Sequence, residues 1–169
     1  MDQSINKKPE FKENLKVFFK SNKKKIIFLI FIIILVLAAT LTWNVNQSKK
    51  NLLISEKYVK AGVLLSNNDK DNAIKYFEEI IFSKNNLYSL LALNTVIEKN
   101  LISDKNKILN YFEILEEGIT HKDYVDLVIF KKALFLIKNL ESQKGNLLLN
   151  NLIKNDSNLK IIAKEIISK

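Results

Sequence analysis

The sequence predicts an all-α protein in which one N-terminal transmembrane helix precedes a stack of about seven antiparallel helices. Three observations predict this fold class. An uncharged apolar segment lies near the N-terminus, glycine occurs only three times, and the single proline, Pro9, precedes that segment. From Gln47 onward, apolar residues recur at helical spacing and are interrupted by short Asn, Asp or Ser turns, with no long alternating strand pattern.

The apolar segment extends from Ile26 to Trp43 and contains no charge, glycine or proline. As a helix, residues 26–45 rise about 1.5 Å per residue and cover roughly 30 Å, which matches the hydrocarbon thickness of a bilayer. The alternative, a core helix of a soluble domain, would need a large globule around it, and the remaining chain is too short and too polar. Residues 26–45 are therefore predicted to cross a membrane.

Residues 1–25 form a basic tail with one amphipathic stretch. Phe11, Leu15, Phe18 and Phe19 follow the spacing i, i+4, i+7 and i+8, and most of the lysines fall elsewhere. This pattern is typical of a helix that lies in the lipid headgroup region, with its lysines facing anionic lipid. A disordered tail with a few aromatic residues is the alternative.

The charges on either side of the span predict its orientation. The tail holds eight lysines against three acids, a charge of +5, and Lys23, Lys24 and Lys25 abut the span. Fewer lysines follow the span closely, and there they are mixed with Glu56. The positive-inside rule then places the N-terminus in the cytoplasm and residues 46–169 in the periplasm, as in a bacterial inner-membrane protein. Trp43 is predicted to anchor the span at the opposite interface.

A cleaved signal peptide is the alternative to an anchor. Val36-Leu37-Ala38 could serve as a small-residue cleavage site, which would leave a soluble periplasmic binding module. However, the tail of 25 residues is long for a signal peptide, and the apolar segment continues past Ala38 to Trp43. The sequence therefore favours an uncleaved anchor.

Seven helices are predicted after the span from capping residues, turns and apolar spacing. The first four cover Ser48–Ser66, a helix capped by Asp71, Leu87–Glu98 and a helix capped by Ser103. The last three cover Tyr124–Leu140, Leu147–Ile153 and a helix that begins near Leu159. The residues predicted to face inward are Leu52, Leu53, Tyr58, Ala61, Leu64, Leu65, Ala73, Ile74, Phe77, Ile80, Ile81, Leu87, Leu90, Leu91, Ile97, Ile108, Tyr111, Phe112, Leu115, Leu127, Phe130, Ala133, Leu134, Ile137, Leu159, Ile162 and Ile166.

These helices form pairs that begin near residues 54, 88 and 123, and the spacing of about 34 residues is that of a tetratricopeptide array. In the first pair, Ala61, Ala73 and Phe77 stand where the repeat has small, small and aromatic residues, with Asn68-Asp69 at the turn. Small residues let the two helices approach closely, and the aromatic ring fills the gap to the next pair. Since one pair cannot bury its apolar face alone, three stacked pairs and a capping helix are predicted to share one core.

The whole layout resembles the YfgM-like family of bacterial inner-membrane proteins, including its short, divergent alphaproteobacterial relatives. The shared features are a lysine-rich start with aromatic residues (Val17-Phe18-Phe19-Lys20), one span that ends in Trp43, and a tetratricopeptide-like domain. The resemblance covers nearly the entire chain. It implies an ancillary partner of the Sec translocon that works beside a membrane-anchored periplasmic chaperone.

The composition argues against a nucleic-acid partner despite a formal net charge of +9. Residues 26–169 carry nineteen lysines against fifteen acids, so only +4 is spread over that long segment. The chain has no arginine, and lysine lacks the forked guanidinium that reads guanine and clamps phosphates. The chain also has no cysteine, which excludes disulfides, thiolate nucleophiles and cysteine metal sites.

No group of residues predicts catalysis, a metal site or a cofactor, so the chain is not expected to be an enzyme. His121 is the only histidine and lies beside a predicted turn, where a solvated side chain is expected. The pairs Glu78-Glu79 and Glu116-Glu117 are expected to be solvated, because sequence neighbours on a helix do not face each other. Gly145-Asn146 is predicted as a turn or a weak helix joint. The five tyrosines are expected in the core, although one or two could line a concave peptide-binding surface.

The sequence thus predicts a single-pass, membrane-anchored scaffold that binds membrane lipid and protein partners. A structural alternative is that the helical domain self-associates, as a homo-oligomer, within an envelope or cell-division assembly. The cleaved soluble module is the third hypothesis.

Overall fold

The computed structural model of the chain describes residue 16 and residues 18–168, and these residues form helices joined by short turns. Within this part of the chain no strand occurs, so the all-α prediction is confirmed. Residues 18–21 are helical and precede the seven helices whose bounds follow. These helices are α1 (Lys23–Ser66), α2 (Lys70–Phe82), α3 (Tyr88–Glu98), α4 (Lys105–Gly118), α5 (Lys122–Lys138), α6 (Ser142–Lys154) and α7 (Lys160–Ile167).

Helix α1 is 44 residues long and contains both the apolar segment and the first helix of the repeat domain. A separate helix beginning at Ser48 was the expectation, and it is wrong because residues 44–47 contain no glycine or proline that would end a helix. The apolar side chains from Ile27 to Leu37 are all 44–65% exposed, so no protein core surrounds them. By length and composition α1 is a candidate membrane span.

The chain divides into two compact units after Lys49. The first unit contains the apolar part of α1. The second contains the C-terminal part of α1 and helices α2–α7, in which consecutive helices from α2 onward pack against each other through short turns. Because the turns are short, helices that are neighbours in sequence run antiparallel.

Five helices end in a left-handed residue that is not glycine. Asn68, Lys84, Asn100, Leu140 and Asp156 each lie two residues beyond the end of a helix and have φ between 49° and 65°. In four of these ends the next amide donates back to a carbonyl of the last turn, as in a Schellman motif. These bonds are Asp69 N to Leu64 O, Leu101 N to Val96 O, Glu141 N to Leu136 O and Ser157 N to Leu152 O, at 2.9–3.0 Å.

Two helices are capped by other residues than the predicted ones. The Asp69 carboxylate, and not Asp71, accepts from the amide of Asn72 at the start of α2. Asp104, and not Ser103, accepts from the first amides of α4. In both places two candidate capping residues lie close together in the sequence, and the aspartate that directly precedes the helix is the one that caps it.

Side-chain hydrogen bonds connect each helix, or the turn at its start, with the next helix but one, and their sequence separations give the period of the stack. The separations of six such bonds lie between 33 and 37 residues. A stack in which each helix meets its counterpart one repeat later produces this pattern. The six pairs are Asn51–Asn85, Tyr58–Thr95, Glu78–Tyr111, Asn94–Lys131, Lys105–Glu141 and Asp123–Asn158.

The core of the stack consists of two clusters, one from α1 to α5 and one from α5 to α7. The repeat-packing residues Ala61, Ala73 and Phe77 are at most 1% exposed and belong to the first cluster. Five residues that were predicted to face inward are more than a third exposed, and that part of the prediction is wrong. They are Leu52, Leu53, Leu87, Leu91 and Ile162.

Gly145 lies inside α6 and not at a turn, which corrects the expectation for this residue. An added Cβ would lie 2.5 Å from Ile137 Cγ1 and 2.7 Å from the Ala133 carbonyl oxygen. The glycine therefore allows α6 to approach α5 closely. Helix α6 begins five residues earlier than predicted, at Ser142, because Gly145 is tolerated within it.

Alanine substitution at two helical glycines is expected to change stability in opposite directions. Gly62→Ala should raise the free energy of unfolding by about 0.5–1 kcal/mol, because alanine favours the helix and no atom lies within 4 Å of the added Cβ. Gly145→Ala should lower it by about 1–3 kcal/mol, because a backbone oxygen blocks the Cβ. Urea unfolding of the detergent-solubilised protein, followed by circular dichroism, measures both. Equal shifts in the two variants would contradict the close approach of α5 and α6.

Candidate protein-binding surface

Tyr58 on α1 and Tyr88 on α3 lie side by side, with ring centroids 6.0 Å apart. The Tyr58 hydroxyl is 3.1 Å from Thr95 Oγ1, and its ring meets Phe77 of the core at 5.9 Å. Both tyrosines are partly exposed. Each of these rings thus has one side against the core and another at the surface, an arrangement that suits contact with a partner.

Next to the two tyrosines, three polar side chains on α3 and α5 are joined by hydrogen bonds. Lys131 Nζ donates to Asn94 Oδ1 at 2.9 Å, and the amide nitrogen of Asn94 donates to Glu98 Oε1 at 2.6 Å. The bond from Lys131 fixes which way the Asn94 amide points, because its oxygen is occupied by the lysine. Asn94, which interrupts the apolar face of α3, therefore links α3 to α5.

We call the patch formed by Tyr58, Tyr88, Leu91, Asn94 and Lys131 the odd-helix surface. Leu91 is 37% exposed within it. Rings, an aliphatic side chain, an amide and a cation occur together here, which is the mixture found in protein–protein contacts. The expectation that all tyrosines are in the core holds fully only for Tyr111, which is 1% exposed.

The even-numbered helices carry a different arrangement centred on Glu78. Its carboxylate accepts from Tyr111 on α4 and forms an ion pair with Lys107 at 2.6 Å. Burial raises the pKa of Glu78, but the hydrogen bonds from Lys107 and Tyr111 outweigh burial and lower that pKa below its usual value. Burial and the Glu78 carboxylate together raise the pKa of Tyr111, so its proton stays on the phenol.

The expectation that Glu78 and Glu116 are solvated is wrong. Glu78 is 23% exposed and joins α2 to α4, and Glu116 forms an ion pair with Lys132 of α5 at 3.0 Å. The second glutamate of the first pair, Glu79, also faces a neighbouring helix, since it forms an ion pair with Lys57 of α1 at 2.8 Å. For Glu78 the sequence offered a signal, since Tyr111 lies 33 residues later, about one repeat period; Lys132 lies 16 residues after Glu116, and no such spacing marks that pair.

A pocket of about 270 Å³ lies where the turn after α3 meets the end of α5. Its apolar lining includes Ile97, Ile102 and Phe135, and its polar lining includes Lys105 and Lys138. The volume is below the range of roughly 300–1,000 Å³ that is usual for small-molecule sites. It can accept a single side chain of a partner better than a free metabolite.

Acid is expected to weaken the fold through Glu141. The hydrogen bonds from Lys105 and Lys144 lower the pKa of Glu141 from 4.5 to about 2. Because the folded pKa lies below the unfolded value, the stabilisation is complete above about pH 4.5 and is lost as pH falls towards 2. Glu141→Gln should therefore be less stable than wild type at pH 7, and the difference should disappear near pH 2. Urea midpoints measured from pH 7 to 2 test this, with the exposed Glu117→Gln as control. A constant difference across this range would contradict it.

The residues predicted to anchor the chain lie on α1. Lys23, Lys24 and Lys25 form its first turn and are exposed, and Trp43 is 72% exposed. Phe18 and Phe19 are also exposed and helical. The other two apolar residues of the predicted interfacial helix, at positions 11 and 15, lie outside the described residues.

His121 lies directly before α5 with its side chain 60% exposed and its ring against Tyr124. Its Nδ1 is 3.9 Å from an Asp123 carboxylate oxygen. Among residue 16 and residues 18–168, no group of three or more His, Asp or Glu side chains is arranged to hold a metal ion.

Comparison of the chain with protein-family models, curated proteins and solved structures finds no match. The resemblance to the YfgM-like family therefore stays a prediction from the layout of the sequence, and the arguments about function rest on the residues themselves.

Proposed function

We propose that this protein is a single-pass, membrane-anchored scaffold whose tetratricopeptide-like domain binds other proteins at the bacterial inner membrane. The observation that carries the proposal is the combination of an unburied apolar helix with a repeat stack that exposes tyrosine, leucine and paired polar residues. An exposed apolar helix needs lipid around it, and a helical stack with an exposed mixed surface is suited to binding extended partners.

The mechanism of such a scaffold is an increase in local concentration. The anchor restricts the domain to the surface of the membrane, so a second binding event there becomes effectively intramolecular. Weak contacts at the odd-helix surface are then sufficient for a stable assembly. The proposal requires no reaction step and no cofactor.

For the orientation we propose a cytoplasmic N-terminus and a periplasmic domain, on the basis of the lysines that precede the span. For the partners we propose the Sec translocon and a membrane-anchored periplasmic chaperone, on the basis of the family resemblance alone. Both proposals can be tested separately, and the scaffold function depends on neither of these particular partners.

Single cysteines test the orientation, because the chain has none of its own. Ser157 is fully buried and unsuitable for labelling, whereas Asn155 is exposed. Ser4→Cys and Asn155→Cys variants are treated with a membrane-impermeant thiol reagent after the outer membrane alone is opened. We expect labelling at position 155 and not at position 4. The reverse pattern would place the domain in the cytoplasm and contradict the periplasmic proposal. The mass of the intact chain shows whether cleavage near Ala38 occurs.

Photo-cross-linking tests the surface and its partners. A photoreactive amino acid at Leu91 should capture a translocon or chaperone subunit, whereas the same group at the exposed Glu117 on α4 should not. Products at both positions in equal amount would show that the odd-helix surface has no special role. Capture of a different protein only at position 91 would support the scaffold and contradict the proposed partners.

A further inference from the structure

The outer face of α1 in the repeat domain is apolar and uncovered. Leu52, Val59 and Val63 are 60%, 64% and 52% exposed. Successive helical residues are separated by about 100°, so Val59 and Val63 lie within about 20° of Leu52, and the buried Ala61 lies about 180° away. The three side chains therefore form a straight apolar line on the side of α1 opposite the core.

This face is unusual for the end of a helical stack. Terminal repeats normally present a polar outer surface, because no further repeat covers them. Here the first helix of the stack presents two valines and a leucine, while the charged residues Glu56 and Lys60 lie to one side of the line. The outer face thus has the character of an interface.

We propose that a second copy of this chain covers the outer face of α1, in a parallel two-fold dimer. This inference rests on the membrane anchor of the proposed function and does not depend on the proposed partners. All copies cross the membrane in the same direction, and the residues of the apolar line follow the span by the same number of residues in every copy. Two neighbouring copies therefore present the same residues to each other at the same height, so the contact is isologous.

The two sides of the apolar line fit this symmetry. Glu56 and Lys60 lie on one side, and the small residues Ser55 and Ser66 lie on the other. A two-fold axis parallel to the helices brings the charged side of one copy against the serine side of the other, on both edges of the contact. The aliphatic stem of Glu56 can then lie over small side chains, with its carboxylate in water. The Lys60 ammonium lies over the Tyr76 ring of α2, 4.8 Å from the ring centroid.

The heptad spacing of Leu52 and Val59 predicts which residues approach their own counterparts. Residues seven apart on a parallel pair of helices occupy the same position, and core positions bring identical residues face to face. Leu53 is 54% exposed but lies about 100° around the helix, outside the contact. It is therefore a matched control with similar access to solvent.

Disulfide cross-linking of the full-length, membrane-inserted protein tests the dimer. Leu52→Cys, Val59→Cys and Leu53→Cys are oxidised with copper phenanthroline in native membranes, with two differently tagged copies expressed together. We expect a product that carries both tags at positions 52 and 59, with at least a five-fold higher yield than at position 53. Alkaline carbonate extraction first establishes that each variant is inserted, so failure of the anchor is distinguished from failure of the dimer.

Three results would overturn the dimer. Equal yields at positions 52, 53 and 59 would mean that the products arise from random collision. A product at positions 52 and 59 that contains one tag and a different protein would mean that another partner covers this face. An inserted protein that forms no two-tag product at either position would equally contradict the proposal.

Discussion

Two lysines placed in the apolar segment, in the double variant Ile32→Lys/Leu35→Lys, are expected to abolish membrane insertion. Thirteen Ile, Leu, Phe and Val residues lie between positions 26 and 43, and each contributes about −0.3 to −0.6 kcal/mol, so the segment favours insertion by about 4–8 kcal/mol. Each central lysine costs about 3 kcal/mol and also removes one apolar residue. Two of them cancel the whole preference, whereas a single lysine should leave most of the protein inserted.

Alkaline carbonate extraction followed by ultracentrifugation measures this effect. Wild type should sediment with the membranes, and the double variant should stay in the supernatant. Leu147→Lys/Ile161→Lys is the matched control, since it adds the same charge at side chains of the repeat domain that are 65% and 73% exposed. If the double variant in the span sedimented as completely as the control, the apolar part of α1 would not be the anchor.

The sequence predicted the helical type and most of the helix positions because their signals are local, although the span and the first helix of the stack are one helix, α1. Apolar spacing, the scarcity of glycine and the polar turns each depend on a few neighbouring residues. Helix bounds were less accurate in the C-terminal half: the helix predicted over Tyr124–Leu140 is Lys122–Lys138, whereas the ends at Ser66 and Glu98 were predicted correctly. The left-handed residues that follow the helices, Leu140 among them, could not be located from glycine positions, since no glycine in the described chain has a positive φ.

Which apolar residues face the core was only partly predictable. Leu52 and Leu53 are exposed, while Ile54 packs against the core beside them. Three apolar residues in a row give no preferred side, because a helix turns by about 100° at each step. Only the position of α2 and α3 decides which of them is buried, and that information is not local.

The polar links of the candidate surface were beyond sequence reasoning for a similar reason. Asn94 was recognisable as an interruption of an apolar face, but its partner Lys131 lies 37 residues away. The separation of 33–37 residues that connects these pairs is the repeat period itself. Once the period is known, polar residues one period apart on helices of the same set become candidate partners, and Glu78 with Tyr111 would have been found in this way.

Removal of the Phe77 ring is expected to cause a large loss of stability in the repeat domain. Phe77 is 1% exposed, and its ring meets Tyr58 at 5.9 Å, so it joins α2 to α1. Phe77→Ala should lower the free energy of unfolding by about 3–5 kcal/mol, because it removes a buried ring and leaves a cavity. That is a large part of the total of roughly 5–15 kcal/mol that folded domains have.

Phe82→Ala is the control for this substitution, on the same helix and with the same loss of atoms. Phe82 is 53% exposed and meets Tyr111 only at its edge, so its removal should cost about 1 kcal/mol or less. Urea unfolding of both variants in detergent, followed by circular dichroism, gives the comparison. Similar losses for the two variants would mean that α1 does not pack on α2 through Phe77.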